Sequence, residues 1–280
     1  MTFLYGKPVA DKILLETKAR IEATGITPGL AVILVGDDAS SHLYVGLKEK
    51  TAGDIGVHFE KYIFDTSVSQ DDILACIGRL NEQRDIHGII VQLPLPAGYD
   101  TDSIIAHIDP KKDADGFHQE TVQQFLAGKS EACPVFPLAM VELLRSSQAY
   151  QKGERGYVVA NSPLMGRVMT QALLLEGLPS EYVLYTDSTE TISERLRDAR
   201  VIITAVGVAH CITGSMISPG AIIIDGGISH LDGKVVGDVE SKSVAEKAGW
   251  LSPVPGGVGP LTIACLLKRT LFLAENSANR

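Results

Sequence analysis

Two hydrophobic periods alternate along the 280-residue chain. Leu30 to Val35 is an unbroken apolar run ending at Gly36-Asp37-Asp38, the pattern of a strand buried on both faces. Lys12 to Ala23 instead spaces Leu14, Leu15 and Ile21 among charges at helical intervals, until Gly25 to Gly29 interrupts it. The same reading predicts a helix capped by Ser40 or Ser41, a strand His58 to Phe64, a helix Asp71 to Asn81, and a strand Gly88 to Val91. Strand and helix alternating in this way imply a parallel α/β sheet, with ligands gathered at the carboxyl ends of its strands. Gln92, just past one such end, is then expected near the helix that follows Val35.

Beyond a loop holding Pro134 and Pro137, Leu138 to Leu144 reads as a helix and Gln151 to Gly156 as a linker where the main domain boundary falls. A second βαβ series follows: strands Tyr157 to Val159, Tyr182 to Tyr185, Val201 to Ala205 and Ala221 to Ile224, with helices Met165 to Leu175 and Ile192 to Leu196. This is the pattern of a dinucleotide-binding half, although Ala160 to Gly166 lacks the Gly-x-Gly-x-x-Gly turn. Gly233 to Val239 reads as an edge hairpin or extended segment. Ser252 to Pro260 then holds three prolines and three glycines, so main chain can approach a ligand closely before a last helix, Leu261 to Glu275. Asn276 to Arg280 reads as a frayed tail.

The helix after Val35 carries Ser41, Tyr44 and Lys48, which helical spacing places in one polar stripe where a core face should show Leu or Val. Either this stripe is solvated or it is an active-site face. The charged stretch Pro110 to Phe117 poses the same choice between a solvated turn and a functional one.

Composition narrows the partners. Hydrophobic residues make up 45% and charged residues 21%, as in globular proteins, and the net charge of −9 disfavours nucleic acid or an anionic membrane as the principal partner. No run approaches the roughly 20 apolar residues of a membrane span, and Met1 to Lys7 lacks the features of a signal peptide, so the cytoplasm is the expected compartment. Cys76, Cys133, Cys211 and Cys265 are scattered and read as buried thiols, with no metal site expected.

Taken together, Tyr44-x-x-x-Lys48, Val91 to Pro96, Lys112 to Phe117 and Pro253 to Pro260 resemble the bifunctional methylenetetrahydrofolate dehydrogenase/methenyltetrahydrofolate cyclohydrolase family, in order and nearly end to end. The resemblance implies a two-domain α/β enzyme with folate in a cleft. Residues 1–138 plus 261–280 would form the folate-binding catalytic domain, the last helix returning to it, and residues 139–260 a Rossmann-like dinucleotide-binding domain. It implies Lys48 as the central catalytic group, Tyr44 stacking on folate, Gln92 holding Lys48, and Asp115 binding the pterin amino edge. Ser41 and Leu93 would support the same face, and Pro253, Pro255, Gly256 and Gly257 would run along folate and nicotinamide. Cofactor contacts would fall on Ala160, Asn161, Ser162, Asp187, Ser188, Val206, Gly207, Ile228 and Thr262. NADP, tetrahydrofolate substrates and a homodimer through the nucleotide domain complete the implication.

These residue types suit the chemistry. Hydride loss to a nicotinamide requires alignment of two rings and exclusion of water. Hydrolysis of a methenyl cation requires a proton carrier, and a lysine serves when burial and the bound cation lower its pKa. A carboxylate matches the donor-rich amino-pterin edge.

Departures from the family cluster in the nucleotide half. Gly-Arg-Ser becomes Ala160-Asn161-Ser162, Val-Gly-x-Pro becomes Gly166-Arg167-Val168, and His-Ser becomes Asp187-Ser188. A lost cation and a gained anion favour the free 2′-hydroxyl of NAD over a 2′-phosphate, so weak discrimination against NAD, or a preference for it, is expected, with Arg167 as candidate replacement cation. Val135-Phe136 stands in place of Cys-Thr, and Gly226 in place of a valine beside the nicotinamide. Three alternatives stay open at this point: a cyclohydrolase with weak dehydrogenase activity, a non-catalytic folate or nucleotide binder, and a dehydrogenase resembling shikimate dehydrogenase.

Overall fold

The computed structural model describes residues 1–278. The chain runs through β1 (Thr2–Phe3), α1 (Gly6–Thr24), β2 (Gly29–Val35), α2 (Ala39–Ile55), β3 (His58–Phe64), α3 (Gln70–Glu82), β4 (Gly88–Val91), α4 (Thr101–Ala106), α5 (Gln119–Leu126) and α6 (Val135–Ser147). It continues through β5 (Gly156–Ala160), α7 (Pro163–Leu175), β6 (Ser180–Leu184), α8 (Thr189–Arg197), β7 (Val201–Ala205), β8 (Ile222–Asp225), β9 (Ser229–Leu231), β10 (Lys234–Val236), α9 (Ser241–Val244), β11 (Trp250–Leu251) and α10 (Val258–Ala278). No described helix is long and apolar enough to cross a membrane.

Two compact units result, one formed by Asp11–Gln123 with Ile263–Arg280, the other by Met1–Ala10 with Gln124–Thr262. The first holds a parallel sheet in the order β3-β2-β4, with Val32 paired to Lys61 on one side and to Ile90 on the other. β2 is buried along its whole length, as its unbroken apolar run requires, and Ile73, Ile77 and Leu80 of α3 pack against this sheet with Ile104 of α4. The second holds six parallel strands in the order β1-β11-β8-β7-β5-β6. Its core includes Val159, Ile202, Ile223 and Leu251 from the strands with Ile192 and Leu196 from α8.

The divisions differ from those expected. The first ten residues join the six-stranded unit because β1 pairs with β11, and that unit resumes at Gln124, ahead of residue 139, so it holds the whole of α6, which packs on α7 and β8. Gln151 to Gly156 is not a boundary: Gly153 donates to Gly177 O at 2.8 Å, and Gly156 already pairs with Ser180 and Val201. Of Gly233 to Val239, Lys234–Val236 forms β10 of a separate hairpin with β9, and Val239 makes a lone parallel bridge to Ile212. α10 continues through Asn276 to Ala278, so the predicted tail is helical there; Asn279 and Arg280 lie outside the described residues. Cys211 is half-buried, whereas Cys76, Cys133 and Cys265 are buried.

Candidate active site

α2 inverts the usual amphipathic arrangement. It buries Ser41 and Lys48, 5% and 7% exposed, beside Val45, Ala52 and Ile55, while Leu43 and Leu47 stand 68% and 45% exposed. Burying an amine returns no hydrophobic free energy, so another interaction must hold it there. The helix is started by Asp38, whose carboxylate accepts the Ser41 N–H at 2.7 Å. This corrects the expected serine cap: an anionic acceptor also meets the positive end of the helix, and such caps contribute about 1 kcal/mol.

Lys48 Nζ donates to Gln92 Oε1 at 2.7 Å and lies 5.1 Å from the Tyr44 ring centroid, within cation–π range. Gln92 is placed by the sheet, its N–H extending β4 to Ile33 O at 2.8 Å. Its Nε2 donates to Leu93 O at 2.8 Å, which turns the amide oxygen toward Lys48. Burial lowers the Lys48 pKa, and the charge of Asp115 opposes that shift. Burial raises the pKa of the Asp115 carboxyl, Lys48 and Arg269 oppose the rise, and Asp113 adds to it. Burial thus moves both amine and acid toward their neutral forms.

The charged stretch before Asp115 is a scaffold, not a solvated loop. Asp113 is 1% exposed, and its carboxylate accepts the N–H groups of Gly116 and His118 at 2.8 and 2.9 Å. Its carbonyl accepts Arg269 Nε at 3.2 Å, which brings α10 against the turn. Lys112 Nζ donates to Leu80 O and Gln83 O at 2.9 and 2.5 Å, covering the carbonyl end of α3. Asp115 follows directly from this fixed turn.

In the six-stranded unit all strands are parallel, so the turns after β5, β6, β7, β8 and β11 share one rim. That rim carries Ala160, Asn161, Ser162, Asp187, Ser188, Val206, Gly207, Ile228, Pro253, Pro255, Gly256 and Gly257. Ser162 caps α7, accepting the Met165 N–H at 3.3 Å with Pro163 in the first turn, which leaves a helix N-terminus suited to a phosphate. Asp187 is exposed, and its Oδ2 accepts the Leu184 N–H at 3.0 Å to close the turn after β6. Ser188 caps α8 through the Thr191 N–H at 3.1 Å, and Thr262 Oγ1 donates to Gly259 O at 2.7 Å. Gly6 donates to Gly256 O at 2.9 Å, so the start of α1 holds the Pro/Gly loop. Arg167 is not a substitute cation for the β6 turn. It lines a shallow depression with Leu126, Thr170, Gln171, Leu174 and Ser180, and Ser180 begins β6, at the opposite end from Asp187.

Two departures in this unit lie against each other. A Cβ at Gly226 would lie 2.2 Å from Met140 Cε and 2.9 Å from Phe136 Cζ. Met140, the nearer, and Phe136 together occupy the space that a side chain at 226 would need. Sequence reasoning also passed over Asp238, a carboxylate with no exposure. Beside it, burial and the Asp238 charge raise the pKa of the Asp225 carboxyl to about 7.

Residues 4–115 match the model of the tetrahydrofolate dehydrogenase/cyclohydrolase catalytic domain, and residues 134–278 that of its NAD(P)-binding domain. The chain belongs to the tetrahydrofolate dehydrogenase/cyclohydrolase family. It is 39% identical over 282 residues to the bifunctional protein FolD of Nautilia profundicola, with 99% of each chain covered. It matches the crystal structure of the bifunctional FolD methylenetetrahydrofolate dehydrogenase/cyclohydrolase of Campylobacter jejuni with a TM-score of 0.92 at 37% identity, 99% of both chains covered. A third relative, the Trypanosoma brucei FolD complexed with NADP cofactor and inhibitor, matches with a TM-score of 0.93 at 30% identity, covering 100% of this chain and 99% of that one. Membership in the dehydrogenase/cyclohydrolase family sets aside a shikimate-type dehydrogenase.

Proposed function

We propose that this chain oxidises 5,10-methylenetetrahydrofolate to 5,10-methenyltetrahydrofolate with NADP and hydrolyses the product to 10-formyltetrahydrofolate. The observation that carries the reading is the 2.7 Å bond from buried Lys48 to Gln92 Oε1, with Asp115 as charge partner. Gln92 takes one N–H of the amine and leaves its lone pair for the reaction. Water adds to the methenyl carbon, Lys48 accepts the proton released from its oxygen, and the same proton reaches the ring nitrogen as the C–N bond breaks. The bound cation itself keeps Lys48 neutral by like-charge repulsion. Tyr44 stacks on the folate, Asp115 accepts the pterin amino N–H groups, and Ser41 and Leu93 complete that face.

In the oxidation the dinucleotide supplies the hydride acceptor. The capped N-terminus of α7 fits its pyrophosphate, and Ala160, Asn161, Val206, Gly207, Ile228 and Thr262 would hold the rest, with Pro253, Pro255, Gly256 and Gly257 along the nicotinamide. NADP is the proposed cofactor, in keeping with the NADP complex of the Trypanosoma brucei relative. Asp187 stands next to Ser188 where a 2′-phosphate would need a cation, so discrimination against NAD is proposed to be weak. A homodimer through this unit is also proposed: β6 is an open sheet edge, and α7 exposes Leu164, Leu174 and Leu175. The cytoplasm is the proposed compartment.

The test supplies purified protein with methylenetetrahydrofolate plus NADP or NAD, and separately with methenyltetrahydrofolate alone, following both absorbances. Both reactions are expected. Hydrolysis without reduction of either nucleotide would select a cyclohydrolase of weak dehydrogenase activity, and absence of both would refute the assignment.

A further inference from the structure

Asp225, closing β8, and Asp238, following β10, are 3% and 0% exposed. Buried carboxylates are costly unless every oxygen is satisfied. Asp238 Oδ2 accepts Thr204 Oγ1 at 2.7 Å and the Val206 N–H at 2.8 Å, and its Oδ1 accepts the N–H groups of Gly207 and Val208 at 2.9 and 3.0 Å. Asp225 Oδ1 accepts the N–H groups of Gly227 and Asp238 at 2.9 and 3.1 Å, and its Oδ2 that of Val239 at 2.9 Å. The fit is reciprocal. A Cβ on Gly227 would lie 2.0 Å from Asp238 Oδ1, and one on Gly237 would lie 2.0 Å from Asp225 Oδ2.

Three consecutive N–H groups drawn inward onto one carboxylate dictate the course of the turn after β7, and leave Gly207 exposed on the rim. Ser229 Oγ then ties Gly207 O, at 2.9 Å, to the turn after β8. We propose that Asp238 is the positioning residue of the nucleotide-facing rim: without touching the ligand, it sets both turns in the shape that receives the dinucleotide. The inference rests on the six-stranded unit being the nucleotide-binding half. A residue that merely held the fold would depress both reactions together, whereas one that shapes this rim depresses only the reaction that uses the nucleotide.

The experiment compares wild type, Asp238→Asn, Thr204→Val and Thr204→Ser for the KM of NADP in methylenetetrahydrofolate oxidation and for nucleotide-free hydrolysis of methenyltetrahydrofolate. Asp238→Asn is expected to raise the NADP KM by about tenfold or more, while hydrolysis stays within about twofold of wild type. Thr204→Val, which removes one donor to Asp238, is expected to raise it by about threefold, and Thr204→Ser to restore it. An unchanged NADP KM in Asp238→Asn, or a proportional fall of both reactions in a folded variant, overturns the proposal. Should Asp238→Asn fail to fold, the threonine pair decides: equal NADP KM values in Thr204→Val and Thr204→Ser overturn it. Wild-type protein that reduces no nucleotide would remove the underlying reading, and this inference with it.

Discussion

The three-stranded unit presents its chemistry through side chains, the six-stranded unit through backbone. In the former, the proposed roles fall to an amine, a phenol, an amide and a carboxylate, and α2 buries Lys48 where an apolar face is expected. In the latter, turns at strand ends carry the rim, and the carboxylates shaping two of them never reach its surface. The difference explains where the chain departs from its family. Side-chain chemistry ties identity to position, whereas a backbone rim tolerates new residues as long as the cap and the clamp survive. Ala160-Asn161-Ser162 has the hydroxyl that caps α7, and Met140 and Phe136 fill the space beside Gly226.

Three experiments test that contrast, in descending order of effect. Lys48→Met should reduce methenyltetrahydrofolate hydrolysis by about a thousandfold, within the usual span of general acid–base catalysis, while calorimetry finds nucleotide affinity unchanged. Loss of nucleotide affinity in this variant would break the separation of the two halves. Gly226→Val should destabilise the protein in urea by about 1–3 kcal/mol through overpacking against Met140 and Phe136. Adding Phe136→Thr should recover part of that loss, with a coupling of at least about 0.5 kcal/mol; strict additivity would mean that the two departures are unrelated. Asp187→Ser should shift the ratio of NADP to NAD specificity toward NADP by about threefold to tenfold, since one anion near the 2′-phosphate is removed at an exposed, screened position.

The legible parts of the molecule share a physical cause. β3, β4 and β7 occupy the predicted residues because their runs are bounded by clear breaks, and Tyr44-x-x-x-Lys48 stands out because polar residues recur where core residues belong. β1 and β11 have two residues each, too few to show a period, and their existence depends on pairing with each other at opposite ends of the chain. The cap of α2 is ambiguous in the sequence because Asp38, Ser40 and Ser41 compete within four residues, and only the direction of the turn after β2 selects among them. Arg167 lies close to Asn161 in sequence, yet it lines the same depression as Ser180, which begins β6. Asp238 gave no signal, because three of its partners are backbone N–H groups about thirty residues earlier, and backbone carries no identity in a sequence.

In the proposed hydrolysis Lys48 acts as a neutral amine made available by burial. The most direct measurement is the pH–rate profile of methenyltetrahydrofolate hydrolysis without nucleotide, in wild type and in Lys48→Met. Because the free base is the active form, the rate should rise with pH through an apparent pKa below the ordinary lysine value of 10.5. That rise should vanish in Lys48→Met. A rise that persists in the variant, or a wild-type inflection at the ordinary lysine value, would contradict the account.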